Sequence, residues 1–148
     1  MLPLSRELVK SAVPGLIDWS AQGPLQVGLG GCPWRVAVAS MLLCRTRGSQ
    51  ARPVLKELLG LWPEAEALCK AEGLEDTLRP CGLHRNRARQ MQRYSCLWLS
   101  DGWSDMRELP GVGLYVADAV GLFCFGCVDL ESSDEVLRRY ADGISSVR

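Results

Sequence analysis

Apolar residues recur along this chain at helical spacing, and the alternation of apolar and polar residues that marks a strand is nearly absent. Glycine and proline separate the apolar runs. The pattern therefore predicts an all-α fold. The expected helices span residues 5–13, 34–43, 49–61, 64–72, 75–79, 85–100, 104–108, 114–123 and 133–141.

The stretch "PWRVAVASMLLC" is apolar almost all the way round a helix, which predicts that this helix lies buried at the centre of the fold. Pro33 falls in its first turn, where the missing N–H leaves no hydrogen bond unmade. The preceding stretch "SAQGPLQVGLGG" is rich in glycine, so we expect a loop that lies on the surface or lines a pocket.

The chain has 148 residues, of which 47% are hydrophobic, and this suffices for one ordinary core. We therefore expect residues 1–148 to form a single domain and a monomer. No apolar run reaches the length of about 18 residues that a membrane span needs, and "MLPLSRELVK" lacks the charged-then-apolar order of a secretion signal. These features predict a soluble intracellular protein without a membrane partner, in the cytoplasm or nucleoid, or in the nucleus of a eukaryote.

The seven cysteines are an odd number, which excludes a disulfide for every one of them and favours a reducing compartment. Most of them fall in apolar segments, where a cysteine acts as a small core residue. Cys124 and Cys127 form a C-x-x-C pair, but no second pair lies at zinc spacing and His84 is the one histidine of the chain. The sequence thus predicts no metal site.

The formal net charge is zero, yet the charges are unevenly distributed along the chain. Residues 34–52 contain four arginines and no acid, and residues 77–100 contain five arginines, His84 and again no acid. If these two basic segments meet in the fold, they form a local face for an anionic ligand. If the two segments do not meet, their arginines only form solvent-exposed faces of separate helices.

The stretch "LPGVGLYVADAV" places Gly111 and Gly113 on either side of Val112, between a short helix capped by Ser104 and a long apolar helix. Glycines at a helix start leave backbone N–H groups open to a phosphate oxygen, and the helix dipole favours its negative charge. An ordinary turn between two helices has the same local sequence. The motif alone therefore leaves both interpretations open.

Together with "SDEVLRRY" further along the chain, this stretch resembles the helix-hairpin-helix DNA glycosylase superfamily, whose pattern is L-P-G-V-G-x-x-x-A followed by D-x-x-[IVL]-x-[RK]-[VY]. Asp134, Leu137, Arg139 and Tyr140 fill the second pattern. Further blocks, "QVGLGGCPW", "RTRG", "WPEAE" and "LRPCGL" among them, look like the branch that removes thymine or uracil opposite guanine. The resemblance covers roughly residues 24–142 and implies an all-α helix-hairpin-helix glycosylase fold, a helical bundle with a cleft.

The resemblance implies catalytic roles for Asp134 and Tyr115. Positive charge develops on the sugar as a base departs, and a fixed carboxylate, here that of Asp134, can stabilise the charge and orient a water. Ser132 or Ser133 is expected to cap the helix that follows, with Asp134 in its first turn. Relatives that also cut the strand have a lysine at the Tyr115 position for a Schiff base, which a phenol cannot form, so we expect a monofunctional enzyme. From local sequence alone, Asp134 is only a helix-start acid and Tyr115 a core tyrosine.

The resemblance also implies residues that hold the DNA and read a flipped base. Arg45 would fill the space that the base vacates, and Leu83 would wedge beside the orphaned partner. A glutamine amide such as that of Gln26 can read the Watson–Crick edge of a pyrimidine. The implied DNA contacts are Arg45, Thr46, Leu83, Arg87, Gly111, Val112 and Gly113, and the implied base pocket consists of Gln26, Val27, Tyr115 and Val136.

Two departures from the family affect the expected function. Val136 stands where the mismatch-specific branch has a lysine, which leaves the base preference less determined than the chemistry. The four C-terminal cysteines that hold an iron–sulfur cluster in many members have no counterpart after Asp134, and we expect no cluster. Hydrolysis would need no diffusible cofactor, although a monovalent cation could bind the hairpin carbonyls as it does in relatives.

The expected function is a monofunctional DNA glycosylase that removes a mismatched or damaged pyrimidine from double-stranded DNA in base excision repair. Three alternatives stay open at this point. They are a non-catalytic module that binds DNA through the hairpin, an enzyme of modified-pyrimidine metabolism on the same fold, and a structural helical interaction domain.

Overall fold

The computed structural model describes residues 2–82 and 84–147. Within these ranges the backbone forms eight α-helices and three short 3₁₀ turns, and an isolated β-bridge joins Ser5 and Asp105. The all-α prediction is confirmed. The helices are α1 (Arg6–Ser11), α2 (Pro33–Leu43), α3 (Gly48–Leu61), α4 (Ala65–Cys69), α5 (Leu74–Leu78), α6 (His84–Trp98), α7 (Leu114–Phe125) and α8 (Glu135–Val147), and the 3₁₀ turns are Leu25–Gly28, Arg79–Cys81 and Met106–Glu108.

Helix α2 lies at the centre of the fold, as its apolar sequence predicts. Nine of its eleven residues are buried, and it packs against α3, α6 and α7. The indole Nε1 of Trp34 donates a hydrogen bond to Ser95 Oγ of α6 at 3.1 Å, which satisfies a polar group inside the core. Helix α7 is equally apolar and lies along α2. This buried pair forms the rigid base on which the candidate site is built.

Most helix bounds differ from the sequence prediction by one to three residues, and the end of α8 differs most. The cap of the turn Met106–Glu108 is Asp105 rather than Ser104: its carboxylate accepts the N–H of Arg107 at 2.9 Å, and Glu108 accepts the N–H of Asp105 at 2.7 Å. Helix α8 begins two residues later than expected and continues beyond residue 141 to Val147. It passes through the exposed Gly143, because one glycine in a helix costs only about 1 kcal/mol.

An N-terminal strap, residues 12–22, fastens the glycine-rich loop that begins at Gly23. The N–H of Gly15 donates to Gly30 O at 2.8 Å, and the N–H of Asp18 donates to Gly28 O at 2.7 Å. The backbones approach so closely that a Cβ at Gly28 would lie 2.1 Å from Asp18 O, so this position needs glycine. The strap therefore fixes the position of the loop and of the 3₁₀ turn within it.

The cysteines are less buried than the sequence predicts. A disulfide joins Cys69 at the end of α4 to Cys96 of α6, and among the free thiols of the described residues Cys32 is buried while the others are partly or fully exposed. Most of these thiols lie near helix ends and in turns, where apolar sequence does not guarantee burial. The expectation that most cysteines are core residues was wrong.

None of the described helices is both long enough and apolar enough to cross a lipid bilayer.

Candidate active site

A cavity of about 440 Å³ opens where the glycine-rich loop, the junction of α2 and α3, and the first turns of α7 and α8 come together. The first and last of these elements lie more than a hundred residues apart in the sequence, and the fold brings their functional side chains to one place. The lining residues are Gly23, Pro24, Leu25, Gln26, Leu43, Thr46, Arg47, Gly48, Ser49, Arg52, Tyr115, Asp134 and Val136.

Five of the predicted site residues line this cavity: Gln26, Thr46, Tyr115, Asp134 and Val136. Val27 does not line it. Residues in a 3₁₀ turn point about 120° apart, so the neighbour of an inward-facing glutamine faces elsewhere.

Gln26 is almost fully buried and is held by two hydrogen bonds of its side-chain amide. Its Nε2 donates to Tyr115 OH at 3.0 Å and to Ser40 Oγ at 3.3 Å. The Ser40 hydroxyl donates its own proton to Val36 O at 2.7 Å, so it can only accept from Gln26. Because both amide N–H groups are engaged inside the protein, the amide oxygen is the group of Gln26 that can accept a hydrogen bond from a ligand.

Tyr115 lies in the first turn of α7 and lines the cavity. Burial raises the pKa of its phenol to about 12, and the negative charges of Asp134 and Cys44 act in the same direction against the opposing hydrogen bond from Gln26. The phenol is therefore neutral at physiological pH.

Removal of the Tyr115 hydroxyl is expected to make the free energy of unfolding decrease less steeply as the pH rises above about 10. In the unfolded chain a tyrosine ionises near about pH 10, whereas folded Tyr115 ionises at about 12, so the fold favours the neutral phenol. The resulting stability is complete below the unfolded pKa and is lost as the pH rises through the folded pKa. Urea unfolding between about pH 9 and pH 12 should show a steeper loss of stability for wild type than for Tyr115→Phe. If the free energy of unfolding fell equally steeply with pH in both proteins, the raised pKa of Tyr115 would be contradicted.

Asp134 presents its carboxylate at the cavity wall, at the N-cap of α8. Its Oδ1 accepts the N–H of Leu137 at 2.9 Å. The expectation that Ser132 or Ser133 caps this helix was wrong, because Asp134 itself supplies the cap and α8 begins at Glu135. The cap fixes the direction of the carboxylate and places it at the positive end of the helix dipole. One oxygen is thus held by the helix while the group faces the cavity.

The glycine hairpin lies at the start of α7, next to the cavity. Gly111 has a φ of +85°, and a Cβ there would meet Met41 and Gln90 at 2.8–2.9 Å. At Gly113 a Cβ would meet nothing within 4 Å, and no side chain caps α7. Val112 between them is buried and anchors the turn. The start of α7 thus has no capping side chain and has open space at Gly113, a geometry that suits a phosphate.

The two basic segments of the sequence meet at Arg87. This side chain is buried, and its guanidinium donates to Thr46 Oγ1 at 2.7 Å, to Cys81 O at 3.4 Å and to Cys44 O. A buried guanidinium that bonds three groups of the protein is better placed to hold the 44–46 turn than to contact DNA directly. Its predicted DNA contact stays a prediction.

Arg45 lies in the turn that Arg87 holds. It is exposed and has a φ of +64°, the left-handed conformation that a residue other than glycine adopts rarely. Such strain persists where surrounding contacts impose it, and it concentrates at functional sites. Leu83, the predicted wedge, lies outside the described residues.

Arg47 and Arg52 also line the cavity, although neither was among the residues predicted to form the site. Arg52 donates to Trp19 O of the strap at 2.8 Å. Their signal in the sequence is the acid-free segment 34–52, which marks the region without identifying which arginines face the cavity. Two arginines among the lining residues make the cavity attractive to an anionic polymer.

Among the described residues, no three histidine, cysteine or acidic side chains converge in a way that could hold a metal ion.

The fold and this site define a class of protein with known members. The structure superposes on a thermostable thymine-DNA glycosylase with a TM-score of 0.60 at 18% identity, over 82% of this chain and 56% of that one. It also superposes on endonuclease III in a non-covalent complex with DNA, with a TM-score of 0.59 at 19% identity, over 96% of this chain and 72% of that one. At these identities the likeness establishes the fold, that of the helix-hairpin-helix glycosylases.

Sequence relatives give the same family. The chain is 40% identical over 113 residues to a methyl-CpG-binding domain protein 4-like protein of Arabidopsis thaliana, covering 74% of this chain and 25% of the relative. It is 32% identical over 104 residues to a thymine-DNA glycosylase of Aeropyrum pernix, covering 64% of this chain and 46% of the relative. The chain belongs to the helix-hairpin-helix DNA glycosylase superfamily.

The matched region is a quarter of the Arabidopsis protein and just under half of the Aeropyrum protein. An endonuclease III of Thermotoga maritima matches at 28% identity over 97 residues. No protein-family model matches the chain.

Proposed function

We propose that this chain is a monofunctional DNA glycosylase that flips thymine, uracil or a 5-substituted uracil out of double-stranded DNA, opposite guanine, and hydrolyses its N-glycosidic bond. The observation that carries the proposal is the shared cavity: the carboxylate of Asp134, the amide of Gln26 and the neutral phenol of Tyr115 line one space. The names of the two relatives above, which concern methyl-CpG binding and thymine-DNA glycosylase activity, support it.

Asp134 acts on the sugar. As the bond between C1′ and the base breaks, its electron pair leaves with the base and positive charge develops on the sugar ring. The fixed carboxylate stabilises this charge and orients a water that attacks C1′, and the water proton passes to solvent or to the departing base. The products are a free base and an abasic site.

Gln26 selects the base. Since its amide N–H groups bond Tyr115 and Ser40, its oxygen is free to accept the N3–H of thymine or uracil. Cytosine has an acceptor at N3, so two lone pairs would face each other. Val136 adds an apolar surface to the wall, which suits the 5-methyl group of thymine better than a lysine would.

The hairpin and the basic face hold the duplex. The N–H groups of Gly111, of Gly113 and of the first turn of α7 bind a phosphate without regard to sequence, while the N–H of Val112 donates within the hairpin to Leu109 O at 3.2 Å. A monovalent cation at the hairpin carbonyls could support the phosphate contact. Arg45 and Thr46 approach the gap that the flipped base leaves, and Leu83 is proposed as the wedge beside the orphaned guanine. The protein acts as a monomer on double-stranded DNA without a diffusible cofactor.

A panel of labelled duplexes tests the proposal. The expected result is release of thymine or uracil opposite guanine, with little release of cytosine opposite guanine. Because Tyr115 cannot form a Schiff base, the strand should break only after alkali treatment. Nicking without alkali would contradict the monofunctional assignment. Binding of every duplex without release from any of them would instead support a non-catalytic DNA-binding module.

A further inference from the structure

Asp118 is a buried carboxylate in the middle of α7, a helix that is otherwise built of apolar and small residues. It is only 5% exposed. Burial of a charged group is strongly unfavourable unless hydrogen bonds compensate it, so a carboxylate in this position indicates a specific task. Its partners show what that task is.

Both oxygens of Asp118 hold the backbone just before the catalytic carboxylate. The N–H of Glu131 donates to Oδ1 and Oδ2 at 3.1 Å each, and the N–H of Ser132 donates to Oδ2 at 2.6 Å. The carbonyl of the same residue is also held, because Arg138 of α8 donates to Ser132 O at 2.7 Å. The segment 131–132 is therefore fixed through its N–H groups and through a carbonyl.

We propose that Asp118 is the positioning residue for Asp134, an inference that rests on the proposed glycosylase function. Asp134 follows the fixed segment after a single intervening residue. Tyr115 and the phosphate-facing N–H groups lie at the start of the same helix that bears Asp118. Helix α7 thus carries both the phosphate site and the phenol. The hydrogen bonds of Asp118 to residues 131 and 132 fix the position of the Asp134 carboxylate relative to this helix.

Asparagine at position 118 is a sharp test because it keeps the size of the side chain. Its NH₂ group would face one of two N–H groups, so one acceptor becomes a donor in a site that needs acceptors. A misplacement of about 1 Å at a catalytic group can lower a rate by about a hundredfold. We expect Asp118→Asn to lower the single-turnover rate of base release by at least about tenfold, with duplex affinity unchanged within about threefold.

Asp105→Asn is the matched control. The carboxylate of Asp105 also accepts backbone N–H groups, those of Leu4 at 3.2 Å and Arg107 at 2.9 Å, but it does not line the cavity. Both variants lose a carboxylate that holds a loop, and only Asp118→Asn should slow base release. Hydrogen exchange provides a second readout: the amides of Glu131 and Ser132 should lose protection in Asp118→Asn alone.

A surface pair keeps the test decisive if Asp118→Asn does not fold. Arg138→Gln removes the bond to Ser132 O, whereas Arg139→Gln removes an exposed arginine that pairs with Glu135 instead. At saturating protein, Arg138→Gln should release base a few-fold more slowly than wild type and Arg139→Gln should not.

The outcomes separate the two claims. If wild type releases no base, the proposed function fails, and the amide exchange still tests whether Asp118 fixes the segment. If wild type is active and Asp118→Asn loosens the 131–132 amides without a slower rate, the positioning role is overturned. Equal slowing by Asp118→Asn and Asp105→Asn, or by Arg138→Gln and Arg139→Gln, would overturn it as well.

Discussion

Replacement of Asp134 by asparagine is expected to lower the single-turnover rate of base release by about a hundred- to a thousandfold. The substitution removes the negative charge that stabilises the developing positive charge on the sugar. It keeps the helix cap, because an asparagine oxygen can accept the N–H of Leu137 as the carboxylate does at 2.9 Å. The variant should therefore stay folded and bind the duplex as wild type does.

Asp134→Ala serves as the control for the cap. It should be inactive too, but it should also unfold more easily by about 1 kcal/mol, because alanine cannot accept from Leu137. Single-turnover kinetics, duplex affinity and urea unfolding of both variants separate the effect of losing the negative charge from the effect of losing the helix cap. An Asp134→Asn protein that releases base within about threefold of the wild-type rate would exclude the carboxylate as the catalytic group.

Alanine substitutions at the two hairpin glycines are expected to differ in their effect on stability. Gly111→Ala should destabilise the fold by about 1–3 kcal/mol, since its φ is +85° and its Cβ would meet Met41 and Gln90. Gly113→Ala should leave stability nearly unchanged, because its φ is −86° and a Cβ there meets open space. That open space is where the proposal places a phosphate.

Duplex binding then tests the phosphate site. Gly113→Ala should weaken binding by about tenfold, since one methyl group keeps a phosphate oxygen from the N–H groups of α7. The slope of affinity against salt should become shallower, as one phosphate contact is lost. Thermal unfolding and binding at several salt concentrations measure both effects. Unchanged affinity in a stable Gly113→Ala protein would exclude the hairpin as a DNA contact.

The local sequence pattern was sufficient to predict the helices that have a strong apolar pattern. The all-round apolar character of α2 predicted a central buried helix, and it occupies that place. Prediction failed at helix ends, where two polar residues compete for one cap: Asp105 replaces Ser104, and Asp134 replaces Ser132 or Ser133. Capping depends on which side chain reaches a free N–H, and this is decided by the path of the chain before the helix.

The side chains that support the site were harder to predict than those in it. Gln26, Tyr115 and Asp134 are recognisable through motifs, and all three line the cavity. Asp118 had one signal, a lone acid within an apolar helix, but its partners lie thirteen and fourteen residues away in a loop without pattern. Arg87 shows the same limit: the family resemblance implies a DNA contact, which stays a prediction, and no local signal showed that tertiary packing buries this side chain against the turn that holds Arg45.

Detection of the free base is the most direct test of the central claim, that this chain hydrolyses the N-glycosidic bond of a pyrimidine opposite guanine. Wild type and Asp134→Asn would be incubated in excess over a duplex with one G·U or G·T pair, and the released base quantified by mass spectrometry. The account predicts stoichiometric free uracil or thymine from wild type, with an equal amount of abasic, unbroken strand, and almost none from the variant. Absence of free base from wild type while the duplex is bound, or equal release by both proteins, would contradict it.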